Sequence, residues 1–363
     1  GSKGNAGINT VGGNYLGASY TGEALAWIAD GARVAATTLE VSAQQHDLLI
    51  GLAQAGGKAE KIGVSGAAQY DVQRHTTRAW IEDTARIDAS GALQVTADAD
   101  VTAVLLGGAV QTGTTAAVGA AVVIGDQNSR TEAFIGGEVD TGSTWAPGQV
   151  MAQGGITVDA DYDEKLITIA VAGTYSGSGA SSDDAGSNDG GVASPVAGAS
   201  VAASGAAAVN LVSATTRATA TSALLDTVTG LPPGSLGGQV TVNANSDSLD
   251  VAATGSFAIR TADGGGAGLA GGFAMNKGSH TTEAALGGRV DAGTVRITAT
   301  GDDLLVEAAA GAAGAKRTGT VNVAGSATAG LMNDTTTASV ESSAVVNARG
   351  AVVVTANGHL DAY

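Results

Sequence analysis

Apolar and polar residues alternate with period two along much of the chain. Leu93-Gln94-Val95-Thr96-Ala97-Asp98, Val240-Thr241-Val242-Asn243-Ala244 and Val295-Arg296-Ile297-Thr298-Ala299 each put aliphatic side chains on one side and mostly polar ones on the other. That alternation predicts strands with one buried face. Ala26-Trp27-Ile28, Ala79-Trp80-Ile81 and Ala133-Phe134-Ile135 match one another as equivalent strands. Gly, Asn, Asp and Ser separate the runs and suit corners, because they accept positive φ or close Asx turns. Glycine at this frequency disfavours long helices. A short helix over Tyr70–Arg78 is compatible with the pattern but not required by it. The stretch from Ala117 to Ile135 reads as a small-residue strand, a polar corner at Gly125-Asp126-Gln127-Asn128-Ser129, and a second strand opened by Thr131-Glu132-Ala133.

Two short patterns recur. The first, aliphatic-polar-Ala-polar, starts at Val41, Val95, Val158, Val242, Ile297 and Val354. The second, Thr-x-Ala, starts at Thr77, Thr131, Thr216, Thr282 and Thr336. They alternate strictly, and successive aliphatic anchors lie 54, 63, 84, 55 and 57 residues apart. Two independent markers sharing one step predict an array of about five units of roughly 55 residues, the first and last incomplete. Because repeat periods usually fall at about 20–50 residues, a unit this long predicts two or three short coils. The expected fold is therefore all-β, a right-handed parallel β-helix (β-solenoid), with Val, Ile, Leu and Ala stacked inside and Thr, Asp, Asn and Ser outside.

Composition narrows the interior. The chain has 363 residues with 56 glycines, but aromatics make up only 3%. A core built from Ala and Val rather than Phe and Trp is thin, as stacked sheets with little space between them would require. Apolar content of 44% excludes wholesale disorder. The absence of a G-X-Y period excludes collagen. No cysteine is present, which excludes disulfide and thiol chemistry. A net charge of −17 argues against a nucleic-acid partner. The apolar run from Val196 to Val212 is too short and too polar to span a membrane as a helix, so no membrane insertion is expected.

The period breaks at 141–155, at 176–195 and at 229–236, where Gly, Ser, Asp and Pro accumulate. These are expected to be loops inserted into one solenoid spanning 1–363. Gly1-Ser2 reads as a cloning remnant, and the missing polar caps suggest a segment excised from a longer array.

Candidate chemistry is sparse. Asp159, Asp161 and Asp163 alternate along one strand and share a face, as calcium ligands could, although a solvated acidic surface explains them as well. Asp98 and Asp100 repeat the arrangement, and a second acidic group, Asp183, Asp184 and Asp189, falls in the 176–195 insertion. The histidines His46, His75, His280 and His359 lack any His-x-x-x-His spacing, which argues against zinc, and His75 and His280 read as turn residues before Thr-x-Ala strands. Trp27, Trp80 and Phe134 occupy equivalent repeat positions and read as stacked hydrophobic fill. No nucleophile elbow, P-loop or EF-hand is present, so no catalytic residue and no resident cofactor beyond that calcium are expected.

A Gly/Ala-rich strand, an Asn or Asp corner (Asn210, Asn276), Thr-x-Ala-(Trp/Phe)-Ile and then Val-x-Ala-Asp resemble the repeats of filamentous-haemagglutinin-type and leukotoxin-type filamentous adhesins of Gram-negative bacteria. The best local match is Ala117 to Ile135 followed by Ile156-Thr157-Val158-Asp159-Ala160. Gly125-Asp126 and Asp71 depart from the Asn corner. The resemblance implies export through an outer-membrane partner and a place on the cell surface or outside the cell. It also implies a non-enzymatic shaft, projecting regions that bind a host or bacterial receptor or glycan in attachment and biofilm. A leukotoxin-like virulence segment and a polysaccharide lyase or hydrolase are the alternatives.

Overall fold

The computed structural model describes residues 3–4, 9–136, 149–177, 200–221, 224–232, 235–261, 266–315, 320–342 and 344–363. Residues 141–148, 178–195 and 233–234 of the three expected insertions, with Asp183, Asp184 and Asp189 among them, lie outside these. The chain winds as a parallel β-helix with no helical segment among the described residues. Six long strands form a front sheet: β2 (Asn9–Ile28), β5 (Ile62–Ile81), β8 (Ala116–Ile135), β11 (Ser200–Ala220), β14 (Gly266–Leu286) and β17 (Thr320–Val340). Six short strands form an end sheet: β3 (Arg33–Ala36), β6 (Arg86–Ala89), β9 (Gln149–Ala152), β12 (Leu224–Asp226), β15 (Arg289–Ala292) and β18 (Val345–Ala348). The back sheet holds β4 (Leu39–Lys58), β7 (Ala92–Gly113), β10 (Gly155–Ser176), β13 (Gln239–Arg260), β16 (Thr294–Ala315) and β19 (Val352–Ala362), with β1 (Lys3–Gly4) beside β4.

One repeat is one coil. Each coil runs through a front, an end and a back strand and pairs in register with the next. Val41, Val95, Val158, Val242, Ile297 and Val354 form one ladder on the back sheet. Thr77, Thr131, Thr216, Thr282 and Thr336 form another on the front sheet. The expectation of two or three short coils per unit is therefore corrected. The reason lies in the polar stretches taken for corners. Gly125 to Ser129 sits in the middle of β8 and pairs residue for residue with Asp71 to His75 and with Asn210 to Ala214. Likewise Tyr70–Arg78 is strand within β5, not helix. Long strands of 20–22 residues give a coil roughly 66–73 Å wide, whereas six coils stack to only about 29 Å. The outline is a broad slab rather than a slender rod.

Most glycines serve close packing rather than turning. Gly155 is one that turns, with φ of 117° at the corner into β10. Gly125 faces the opposite sheet: a Cβ there would lie 3.0 Å from Leu166 Cδ1 and 3.1 Å from Leu105 Cδ1.

Alternation divides each long strand into inward and outward sets, and the inward set is layered. Next to the end sheet lies an aliphatic core that includes Ile81, Ile87, Leu93, Val95, Val150, Leu225, Val242 and Ile297. Nearer the middle of the slab, Leu105, Val123 and Leu166 pack with a set of alanines between front and back sheets. Between these two apolar regions runs a polar layer. The Thr anchors belong to it, and Thr77, Thr131, Thr216 and Thr282 are at most 2% exposed, so they point inward and not outward as their chemistry suggested.

Candidate functional site

Asp159, Asp161 and Asp163 stand on the outer face of the back sheet, sharing a side as the alternation of β10 requires. Their neighbours on adjacent coils are Thr96, Asp98 and Asp100 on one side and Asn243, Asn245 and Asp247 on the other. The surface is thus an acidic stripe across the coils. Asn245 Nδ2 donates to Asp161 Oδ1 at 2.9 Å, and Lys165 Nζ donates to both oxygens of Asp163 at 3.1 Å. Partial burial, together with the charge of Asp161, raises the pKa values of Asp98 and Asp159. The stripe does not bring three ligand atoms of Asp159, Asp161 and Asp163 together. Among the described residues, the His/Asp/Glu group that does converge is His280, Asp303 and Asp334.

That group lies in the inner polar layer. His280 comes from β14, Asp303 from β16 and Asp334 from β17. Ladder pairing explains why they meet. His280 and Asp334 are direct partners on the front sheet, in line with Ser129 and His75. Asp303 continues the back-sheet line Asp47, Val101, Glu164, Ser248. The two lines face each other across the interior. His280 Nδ1 is 2.5 Å from Asp303 Oδ1 and 3.7 Å from Asp334 Oδ1, while its Nε2 is 4.0 Å from Glu164 Oε2. Ser248 Oγ donates to Asp303 Oδ1 at 2.5 Å. Behind Glu164, Tyr162 OH donates to Glu164 Oε2 at 2.7 Å and accepts from Gln127 Nε2 at 3.1 Å. The same two lines make a second node in the first two coils, where His75 Nδ1 is 2.9 Å from Asp47 Oδ2 and Thr77 Oγ1 donates to Gln45 Oε1 at 3.0 Å.

Burial sets the electrostatics. The Glu164 side chain is fully buried, and desolvation raises its pKa to about 7 despite the nearby imidazole. Desolvation alone would lower His280, but its hydrogen bond to Asp303 and the charge of Glu164 hold it up at about 9. Asp334 is raised to about 6 by burial and by Asp303. Burial and Glu164 push Asp250, 1% exposed, well above the usual carboxylate range. Against its own burial, Asp303 is lowered by His280. In the other node burial wins, and His75 is lowered although Asp47 opposes this.

His75 and His280 are therefore not turn residues. Each is mid-strand and 2% exposed. Sequence reasoning missed their two nodes because the members are far apart in the chain, with Asp47 28 residues before His75 and with Asp303 and Asp334 23 and 54 residues after His280, and no motif spacing links them. A signal existed in fixed offsets: His75, His280 and Asp334 each precede a Thr anchor by two residues, and Asp47, Glu164 and Asp303 each follow an aliphatic anchor by six. Those offsets become one layer only when a repeat is one coil.

Trp27, Trp80 and Phe134 do stack, with ring centroids 5.2 and 5.8 Å apart and planes within 13° of parallel. They form a column on the outer side of the front sheet that passes from surface to covered fill: Trp27 is 56% exposed, Phe134 is only 6% exposed, and the Arg78 guanidinium lies 5.2 Å from the centroids of both Trp80 and Phe134. No family model matches the sequence, and neither a curated protein nor a solved structure matches it. The likeness to filamentous-haemagglutinin-type repeats accordingly rests on the residue patterns alone.

Proposed function

We propose that this chain is a structural and adhesive segment of the shaft of a large bacterial secreted or cell-surface adhesin, working outside the cell by mechanical strength and surface contact rather than by catalysis. The observation that carries this reading is the unbroken ladder of coils. Adjacent complete coils are joined by two parallel ladders of about 20 residues each plus a short third, and separating them requires breaking many backbone hydrogen bonds together. A coil of this width advances the shaft by only about 4.8 Å, so width and flank area are favoured over reach. The flanks carry exposed aliphatic and aromatic side chains, including Leu48, Ile50, Leu52, Leu269 and Phe273, which supply contact area for a host or bacterial surface. A net charge of −17 keeps neighbouring shafts apart.

The test is attachment of beads coated with the intact chain to host cells and to bacterial lawns, with bond rupture measured by force spectroscopy. Saturable attachment and unfolding only at high force support the reading. Beads that attach no better than albumin-coated controls, or chains that extend at low force, overturn it.

A further inference from the structure

We propose that His280, Asp303 and Asp334 form an interior binding site for one divalent transition-metal cation, with Glu164 orienting the imidazole from behind. The three ligand atoms, one imidazole nitrogen and two carboxylate oxygens, already lie within 4.8 Å of one another. With His280 Nδ1 turned to the cation, Nε2 faces Glu164 Oε2 at 4.0 Å. This is the carboxylate–histidine–metal arrangement that fixes the imidazole and strengthens it as a ligand. Tyr162 and Gln127 in turn hold Glu164 through bonds of 2.7 and 3.1 Å. Ser248 Oγ, 2.5 Å from Asp303 Oδ1, stands at the edge of the group as a further oxygen donor.

Two independent observations point to a missing ligand. Both side-chain oxygens of Asp334 are buried without a hydrogen-bond partner, and Oδ1 lies 3.7 Å from His280 Nδ1, on the side where the cation would sit. Unpaired buried polar atoms of this kind are rare and call for an explanation. Charge supplies the other observation. The ion pairs of Glu164, Asp303 and Asp334 all run to a single imidazole. A dication neutralises this excess where one imidazolium does not.

A cavity of about 360 Å³ lined by Asp303, Asp334, Met332, Thr336 and His359 adjoins the group. An imidazole ligand favours zinc over calcium and magnesium, which prefer all-oxygen sets. On binding, the His280–Asp303 separation would open from 2.5 Å to roughly 3.3 Å, the edge of a tetrahedron with metal bonds of about 2.0–2.1 Å.

The test is calorimetric titration of the chelator-treated intact chain with zinc chloride, with cobalt(II) absorption reporting the ligand field. One zinc per chain is expected, with a higher melting temperature and a cobalt spectrum that changes in Glu164→Gln. Asp334→Asn, in the last coil and away from the aliphatic cores, weakens zinc by more than tenfold, and Glu164→Gln by about 10–100-fold. A triple variant of the outer stripe, Asp159→Asn with Asp161→Asn and Asp163→Asn, binds zinc like the parent. Absence of saturable zinc binding, binding unchanged in Asp334→Asn with its fold verified by circular dichroism, or binding lost only in the outer-stripe variant overturns the proposal.

Discussion

Leu166 and Gly125 provide a direct probe of how closely the front and back sheets approach. Leu166 is fully buried on the back sheet, and Gly125 on the front sheet leaves its side-chain space to it. Leu166→Ala removes three carbons, a transfer loss of about 2.4 kcal/mol at roughly 0.8 kcal/mol per carbon. The cavity left behind brings the cost to about 3–5 kcal/mol. Gly125→Ala alone introduces a Cβ at 3.0 and 3.4 Å from the two Leu166 methyls and 3.1 Å from Leu105 Cδ1. Overpacking of this kind costs about 1–3 kcal/mol, set against about 0.5–1 kcal/mol gained by replacing glycine inside a strand. In the double variant, two of the three close contacts disappear and the new methyl enters the vacated space. The double variant should therefore be less destabilised than the sum of the singles by about 1 kcal/mol. Stacked coils unfold partly as separate units, so urea midpoints need to be read with hydrogen exchange resolved on β8 and β10. Additivity within about 0.3–0.5 kcal/mol would mean that the two side chains do not share one space, and would refute the facing-sheet packing.

Asp71→Asn should stabilise the chain at pH 7 and lose that benefit in acid. Burial raises the Asp71 pKa above its usual 3.8, with the Gln69 amide opposing only in part. The folded state thus holds the proton more tightly, and stability falls as pH rises from 3.8 to the raised value. Asn at this level is also what later coils use, at Asn210 and Asn276. Melting temperatures of the parent and variant at pH 7 and pH 3 check this, and an equal difference at both would count against it. Asn276→Ala should cost about 1–3 kcal/mol in urea unfolding, because the buried amide donates to Val306 O at 3.1 Å and Asp250 O at 3.4 Å across the interior. A midpoint unchanged from the parent would remove that bridge from the account.

Much of the fold was legible in the repeat itself. The Val/Ile and Thr anchors fall on single ladders because a parallel stack forces equivalent residues of successive coils into register. Strand length was not legible. Gly125, Asp126 and Asn128 are residues that turns favour, yet they continue a strand here, because Gly125 is needed where Leu105 and Leu166 approach and the polar Asp126 and Asn128 face outward. Local chemistry suggested a corner, and packing between sheets overrode it. That single misreading concealed the His280 node, since its members share a layer only in a coil of this length. The outer aspartates were legible by parity alone, which fixes a shared face but not convergence on one ligand.

The central claim is that one repeat makes one coil, and cysteine pairs test it directly in a chain that has no native cysteine. Gln94 pairs with Thr157 on the adjacent coil, and Thr241 stands one coil further. Gln94→Cys with Thr157→Cys should form a disulfide under mild oxidation, with Cα atoms roughly 4.8 Å apart. Gln94→Cys with Thr241→Cys, roughly 9.6 Å apart, should not. Peptide mapping by mass spectrometry reads both. A repeat divided into two or three short coils would place Gln94 and Thr157 at least two rungs apart, and failure of that pair to cross-link in the folded chain would contradict the account.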